Sequence, residues 1–265
     1  MGKSNQSTQE INSQAQNPLG TAPVGGLIAK FAIPAIISML VSAMYNIVDQ
    51  IFIGQGVGML GNAATNVAFP VTTIATALAL LLGIGGASNY NLEMGAGQEK
   101  KASGIAGTAL SSLVISGLIL AVIALVFLKP LLTLFGATTD VMPYAVDYTG
   151  ITALGLPFYI LSVGGNHVVR ADRSPTYSMT CIMIGAIINT ILDPVFIFVF
   201  GWGIKGAAWA TVIGQVVSGV LVIVYFWKFR NMYLTGAMLK PKMPYLKAII
   251  SLGPVSYTHL RAHET

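Results

Sequence analysis

The sequence has very little charge. Only 9% of its 265 residues are Asp, Glu, Lys or Arg, whereas a soluble domain usually carries about 25%. A chain this poor in charge cannot cover a surface that faces water, and its mean hydropathy is +0.74. The composition therefore excludes an ordinary soluble domain. It indicates an integral membrane protein, for which lipid replaces water over most of the surface.

Cysteine is nearly absent, and so is the pattern of a cleaved signal peptide. The single cysteine, Cys181, excludes an internal disulfide and any cysteine-based metal cluster. No apolar core preceded by basic residues occurs near the N-terminus. Residues 1–24 are instead rich in Ser, Gln, Asn, Thr and Gly, which predicts a disordered cytoplasmic tail.

Long apolar runs fill most of the remaining chain. A helix that crosses a bilayer needs about 20 mostly apolar residues, and six runs reach that length. They cover residues 27–53, 64–91, 102–128, 144–169, 175–200 and 206–227. The sequence therefore predicts an all-α integral membrane protein, in which residues 25–229 form a bundle of six transmembrane helices.

The basic residues predict the orientation of these spans. If the N-terminus is cytoplasmic, 11 Lys and Arg residues fall in cytoplasmic segments and only Lys129 and Lys205 fall in outer loops. Such a bias on short loops is the positive-inside signal. The formal net charge of +5 is thus explained by the membrane topology. We expect a multi-pass protein of the plasma membrane, with its N-terminus in the cytoplasm.

The C-terminal part of the sequence differs from the spans. Residues 230–245 are basic and predict a cytoplasmic loop that leads to a second lobe. A seventh apolar run begins near Leu246 and stops at Pro254, about half the length that a span needs. Residues 246–255 therefore predict the truncated start of a seventh helix, and the polar residues 256–265 predict a non-native tail.

Two carboxylates lie well inside the spans, Asp49 in the first and Asp193 in the fifth. A carboxylate at membrane depth costs a few kcal/mol, so it marks a functional candidate. At about 1.5 Å per residue, both lie in the outer half of the bilayer, and Thr211 of the sixth span reaches a similar depth. Asn189 and Tyr45 each lie one turn before one of the carboxylates. These oxygen groups suit a proton or Na⁺.

Several motifs resemble the multidrug and toxic compound extrusion (MATE) family. They are VDQIFIGQ at residues 48–55, NTILDP at 189–194, GAAWAT at 206–211 and the loop at 83–101 with GAG at 95–97. The segment GNAATNVAFP at 61–70 is most similar to the multidrug-export branch of the family. Family members have twelve helices in two six-helix lobes, so this chain resembles the N-terminal lobe alone.

The resemblance implies a function and a set of site residues. MATE proteins export cationic organic compounds by alternating access, in exchange for H⁺ or Na⁺, and are not enzymes. The resemblance assigns coupling of the cation to side chains of Asp49, Asn189, Asp193 and Thr211 and to the backbone carbonyl of Ala207. Further candidates for lining the cavity are Tyr45, Asn66 and Asn166. We expect no cofactor besides the coupling ion and no metal site besides a possible Na⁺ site. The expected partners are small organic cations, the lipid bilayer and the missing C-terminal lobe, with no nucleic acid.

Three alternatives remain open at the level of sequence. A flippase for lipid-linked oligosaccharides has a related fold, but it favours basic residues along its cavity, and no Lys or Arg lies deep in a span. An intramembrane aspartyl protease also uses two carboxylates, yet its typical Gly-x-Gly-Asp motif does not surround Asp49 or Asp193. The third alternative is a membrane scaffold that does not transport.

Overall fold

The computed structural model describes residues 24–229 and 236–262, and every regular element within these ranges is helical. The α-helices are α1 Val24–Gly56, α2 Met59–Gly95, α3 Glu99–Val126, α4 Leu128–Leu134, α5 Met142–Ala171, α6 Pro175–Pro194, α7 Ile204–Val224 and α8 Met243–Ala262. A short 3₁₀ turn covers Gly236–Leu239. The predicted N-terminal tail, apart from its last residue, lies outside the described residues.

Six of these helices are long and apolar enough to cross a membrane, namely α1, α2, α3, α5, α6 and α7. The predicted fold class is therefore confirmed. The helices extend beyond the predicted spans by a few residues; α2, for example, begins at Met59 rather than near residue 64. The short helix α4 was not predicted, because the sequence there is too short to be a span.

The helix α5 is at the centre of the bundle. It packs against α2, α3 and α7, while α6 packs against α7, and α1 lies mainly against α6. Close approach depends on glycine, as is common between membrane helices. A Cβ atom on Gly83 of α2 would lie only 2.5 Å from the carbonyl oxygen of Gly164 of α5. The contact between α1 and α2 is small, which leaves a cleft on that side.

The bundle has two ends that differ in charge. We call one the basic face; it carries the α2–α3 and α5–α6 connections with Lys100, Lys101, Arg170 and Arg173. The opposite face carries the C-terminal ends of α1 and α6 and the N-terminal ends of α5 and α7. Helices α5 and α7 therefore run from the opposite face to the basic face, and α1 and α6 run the other way.

The helix after Asp193 changes its winding. Pro194 ends α6 and is followed by a π-helical turn, Val195–Val199. Proline has no N–H to donate and its ring crowds the preceding turn, so an α-helix is disrupted there. The predicted fifth span is thus continuous, but it is α-helical up to Pro194 and π-helical from Val195 to Val199. The first, second and fourth spans also contain a proline inside the helix, at Pro34, Pro70 and Pro157.

The last helix, α8, packs against α2 and runs further than the sequence predicted. Asn89 Nδ2 of α2 donates a hydrogen bond to the carbonyl oxygen of Ala248 at 3.1 Å. The helical backbone starts at Met243 and continues to Ala262, so the predicted stop at residue 255 differs from the structure. Its apolar part, Met243–Leu252, is shorter than a membrane span. The foreign origin of residues 256–265 stays a prediction.

Candidate functional site

The two intramembrane carboxyl groups lie side by side. Asp49 of α1 is 7% exposed and Asp193 of α6 is fully buried. Their carboxyl groups lie close enough to interact directly with each other. The contact exists because α1 packs along α6, and both residues lie near the opposite face of the bundle.

Asn189 and Thr211 complete a polar cluster around this pair. Asn189 Nδ2 lies 3.4 Å from Asp193 Oδ1 and 3.5 Å from Thr211 Oγ1, with both oxygens placed to accept. Among the described residues, Asp49 Oδ1, Asp193 Oδ2 and Asn189 Oδ1 are buried oxygens without a hydrogen-bond donor. Buried oxygens are rarely left without a partner, so this cluster is suited to receive one.

Close packing of α6 on α7 brings Thr211 to the pair. A Cβ atom on Gly185 of α6 would lie 2.9 Å from the carbonyl oxygen of Gly214 of α7. Only glycine allows this separation, and Gly185 lies one turn before Asn189 on α6. Ala207, one turn before Thr211, is fully buried and packs in a cluster with Ile53. The sequence-predicted set therefore meets at one junction of α1, α6 and α7.

Two tyrosines belong to the site and were not foreseen from the sequence. Tyr148 of α5 is 9% exposed, and its hydroxyl lies near the side chain of Thr211. Tyr159 lies near Tyr45, and its hydroxyl is 2.8 Å from Thr76 Oγ1. Tyr148 lies six residues from the N-terminus of α5, at the depth of Asp193. Estimating depth by counting residues along every span, and not only along those with carboxylates, would have found it.

The remaining cavity candidates lie in three different places. Tyr45, one turn before Asp49 on α1, is close enough to both aspartates to interact electrostatically with them. Asn66 of α2 is exposed and belongs to no hydrogen bond with the cluster. Asn166 of α5 is buried nearer the basic face, where its Nδ2 donates to the carbonyl oxygen of Ser162 at 2.8 Å.

A shallow cleft of about 630 Å³ lies beside the carboxyl pair, between α1 and α2. Its lining is Asn46, Ile47, Gln50, Ile51, Gly54, Gln55 and Asn62. Gln50 joins the cleft to the pair, because its side chain lies near Asp49 and its Oε1 accepts from Thr65 Oγ1 at 3.1 Å. The cleft thus presents uncharged amides, and no acidic residue lines it.

Two carboxyl groups in contact cannot both be charged unless a cation lies between them. In a bundle of apolar helices such a pair requires a proton or a small cation, and the surrounding oxygens are suitable ligands for either. The fold and the site together define a multi-pass membrane protein with a polar site at membrane depth.

The family follows from comparison with known proteins. The family model MatE matches residues 34–195, and this chain belongs to the MatE family. Two relatives illustrate the range of compounds after which similar proteins are named. A "Multidrug export protein MepA" of Staphylococcus haemolyticus is 30% identical over 84% of this chain and 50% of its own length. A "FAD transporter" of Shewanella oneidensis is 33% identical over 77% of this chain and 47% of its own length.

Solved structures agree with the fold. A multidrug resistance MATE family transporter in an outward-facing conformation superimposes with a TM-score of 0.79 at 28% identity, over 85% of this chain and 50% of that one. A transporter from Pyrococcus furiosus, whose description refers to reversed polarity of the binding pocket, has a TM-score of 0.78 at 29% identity over 85% of this chain and 50% of that one. The chain spans about half the length of the relatives it matches.

Proposed function

We propose that this chain forms the first lobe of a membrane antiporter that exports small organic cations in exchange for H⁺ or Na⁺. It is a transporter lobe and not an enzyme, and it needs no cofactor other than the coupling ion. The observation that carries the proposal is the buried contact between Asp49 and Asp193, in a chain whose relatives include proteins named as multidrug exporters.

The coupling ion binds at the carboxyl pair in this proposal. A proton or Na⁺ removes the repulsion between Asp49 and Asp193, and the side chains of Asn189 and Thr211 supply further oxygens next to it. The buried oxygens without a donor in this cluster support such a site. Because α1 carries Asp49 and has little contact with α2, binding and release of the ion would bias the position of α1 relative to the rest of the lobe.

A second lobe is the partner that the proposal requires. The helix α1 is the least buried of the six spans, and it exposes large apolar side chains such as Met39, Met44 and Ile47. The amide-lined cleft opens beside this exposed surface. In a two-lobed transporter, a cavity lies between the lobes, so α1 and the cleft would face that cavity and alternate access would open it to each side in turn.

The basic face is cytoplasmic in this proposal. It carries Lys100, Lys101, Arg170 and Arg173, and the positive-inside rule places such residues in the cytoplasm. The N-terminus then lies in the cytoplasm, and the pair of aspartates lies in the outer half of the plasma membrane.

A second candidate substrate class is an uncharged or anionic compound that offers many hydrogen-bonding groups. The cleft supports this candidate, because Asn46, Gln50, Gln55 and Asn62 are neutral amides, whereas a site for organic cations favours acidic or aromatic side chains. The relative that is named a FAD transporter is of this class. A flippase for lipid-linked oligosaccharides gains no support from the cleft, since no basic side chain lines it.

The test is transport by a two-lobed protein in liposomes. The chain is joined to the second half of the Staphylococcus haemolyticus relative, and uptake of ethidium is measured under a pH or Na⁺ gradient. We expect Asp49→Asn and Asp193→Asn to abolish gradient-driven uptake, because each removes a coupling carboxyl. The matched control is Asp140→Asn, which changes an exposed carboxyl and should transport normally.

Two other outcomes are informative. Wild-type rates in both Asp49→Asn and Asp193→Asn would refute the coupling role. Competition of ethidium uptake by FAD, without competition by other organic cations, would favour the second substrate class. The 265-residue chain alone is expected not to transport, because one lobe cannot enclose the cavity.

A further inference from the structure

Buried and partly buried polar side chains continue from the carboxyl pair towards the basic face. They follow the junction of α5, α6 and α7, where α5 and α7 run in the same direction. From the pair downwards they are Asn189, Thr211, Tyr148, Gln215, Ser218, Ser162, Asn166, Ser178 and Arg170. We call this set the polar column. The cation-coupling residues predicted from the sequence occupy only its upper end.

Direct contacts link several levels of the column. Below Thr211, Gln215 of α7 places its Oε1 against α5, since a Cβ atom on Gly155 would lie 2.4 Å from it. Ser218 and Ser162 are hydrogen-bonded to each other across α5 and α7 at 2.6 Å. The polar groups thus face one another in the interior of the bundle, away from lipid.

The lower part of the column reaches the basic face. Asn166 follows Ser162 by one turn and donates to its carbonyl oxygen. Arg170 follows by one more turn, and its Nε donates to Ser178 Oγ of α6 at 3.0 Å. Ser178 is fully buried, whereas Arg170 is partly exposed. The column therefore begins at buried carboxyl groups and ends at a side chain that reaches solvent.

Three oxygens along the column have no hydrogen-bond donor within the described part of the chain. They are Asn189 Oδ1, Gln215 Oε1 and Asn166 Oδ1. Asn189 and Asn166 are only 3% and 2% exposed. Polar atoms that are buried this deeply are normally hydrogen-bonded, and water supplies the partner where protein does not.

The spacing of the levels suits water. Polar residues of the column recur every three or four residues along α7 from Thr211 to Ser218, and every four residues along the lower part of α5 from Ser162, which corresponds to about 4.5–6 Å per level. Two consecutive hydrogen bonds of about 2.8 Å through one water span about that distance.

We infer that the polar column is a hydrated route that connects the Asp49–Asp193 pair with the basic face and carries protons between them. In the exchange proposed above, a carboxyl group of the pair gives up its proton to the column, each water or hydroxyl passes one proton on, and the last proton enters bulk water at the basic face. This inference rests on the proposed coupling function.

The neighbouring charged groups do not fill the route. His167, one turn before Ala171, lies on α5 beside Arg170. Asp172 is buried just beyond the lower end, where Tyr90 and Tyr225 both donate to it. The column thus ends at the partly exposed Arg170, and the nearby carboxyl group of Asp172 is already hydrogen-bonded.

The test measures whether water-sized ions reach the column. Ser162→Cys is made in a Cys181→Ser background, so that it is the only thiol, and the chain is reconstituted in lipid vesicles. Silver ions are added, excess is removed, and the protein is denatured and labelled with a fluorescent maleimide. We expect silver to block Ser162→Cys faster than a dry thiol by roughly tenfold or more, because a thiol that meets water needs no opening of the bundle.

The matched dry control is Thr108→Cys in the same background. Thr108 of α3 is fully buried, and it lies nine residues from the basic end of its helix, as Ser162 lies nine residues from the basic end of α5. A plug variant, Asn166→Leu, combined with Ser162→Cys, is expected to slow the blocking to the rate of the control. Ser218→Cys, which reports on the same level from α7, repeats the measurement if Ser162→Cys does not fold.

Each outcome decides the inference. Equal blocking rates for the column thiols and Thr108→Cys would overturn it, and so would a plug variant that leaves the rate of Ser162→Cys unchanged. The thiol measurement does not depend on transport. Normal transport by Asp193→Asn together with rapid blocking of Ser162→Cys would therefore refute the coupling role while leaving the hydrated column in place.

Discussion

Carboxyl groups are buried at both ends of this bundle, and the two ends treat them differently. Near the basic face, Asp172 accepts hydrogen bonds from Tyr90 at 2.9 Å and from Tyr225 at 2.7 Å, one to each carboxyl oxygen. Near the opposite face, Asp49 and Asp193 face each other, and each retains a buried oxygen without a donor. One region is complete without any ligand, and the other requires one.

The difference distinguishes a carboxyl group with a structural role from a candidate binding site. We call Asp172, with the two tyrosines that donate to it, the anchor. Tyr90 belongs to α2, Tyr225 follows α7 and Asp172 follows α5, so the hydrogen bonds at the basic face fasten three helices together. The aspartate pair joins α1 to α6 through two groups of like charge, and that contact is favourable only when a cation neutralises it. Burial of a carboxyl group is therefore not by itself evidence of function; the state of its hydrogen bonds distinguishes the two cases.

The largest expected effect is loss of the anchor. Asp172→Leu keeps much of the side-chain shape but leaves the buried hydroxyl of Tyr90 without its acceptor, whereas the Tyr225 hydroxyl loses one bond and keeps Ser174 Oγ at 2.8 Å. At about 1–3 kcal/mol for the unsatisfied hydroxyl and about 0.5–1.5 kcal/mol for the lost bond, the variant should lose about 1.5–4.5 kcal/mol of stability. Thermal unfolding in detergent, followed by tryptophan fluorescence, measures this loss. A midpoint equal to that of the wild type would show that Asp172 is not an anchor.

The aspartate pair should behave in the opposite way. Asp193→Asn removes a like charge, so stability without ligand should fall little or rise. The midpoint of thermal unfolding of the wild type should increase with Na⁺ or with acidification. The free energy of unfolding should rise by up to about 2.7 kcal/mol when the ligand is at 100 times its Kd. This increase should be absent in Asp193→Asn and present in Asp140→Asn. A response to the cation that Asp193→Asn retains would contradict binding at the pair.

Contacts between helices provide the next comparison. Gly83→Ala places a Cβ atom 2.5 Å from a backbone oxygen and 2.6 Å from the Cα atom of Gly164. Backbone cannot rotate away, so α2 and α5 must separate, at a cost of about 1–3 kcal/mol. Gly95→Ala at the end of α2 meets no atom within 4 Å and should change stability by no more than about 0.5 kcal/mol. Equal unfolding midpoints for the two variants would contradict the close packing.

Much of this arrangement could be predicted from the sequence, for specific reasons. Span lengths follow from hydropathy, and the depths of Asp49, Asp193 and Thr211 follow from counting residues along helices. Depth does not give the rotation of a helix, however. Asn66 lies in a span as Asn189 does, yet α2 turns it outwards. The role of Asp172 was also missed, because a position at the end of a span is usually solvated, and here two tyrosines from distant segments cover it.

The smallest expected effect tests how weakly α1 is attached to α2. Thr65 of α2 donates to Gln50 Oε1 of α1, one of few links between these helices. Thr65→Val keeps the shape and removes the donor, at about 1 kcal/mol. Because α5 and α7 do not depend on this bond, the global unfolding midpoint should hardly change.

The loss should appear as local opening instead. Amide hydrogen exchange in α1 should be about fivefold faster in Thr65→Val, the factor that corresponds to about 1 kcal/mol. The control is Thr73→Val, because Thr73 is exposed and its hydroxyl donates to the carbonyl oxygen of Phe69 in its own helix; this variant should leave α1 unchanged. Faster exchange throughout the bundle would mean that α1 and the anchored helices open together. The two ends would then differ in the hydrogen bonding of their carboxyl groups but not in their local stability.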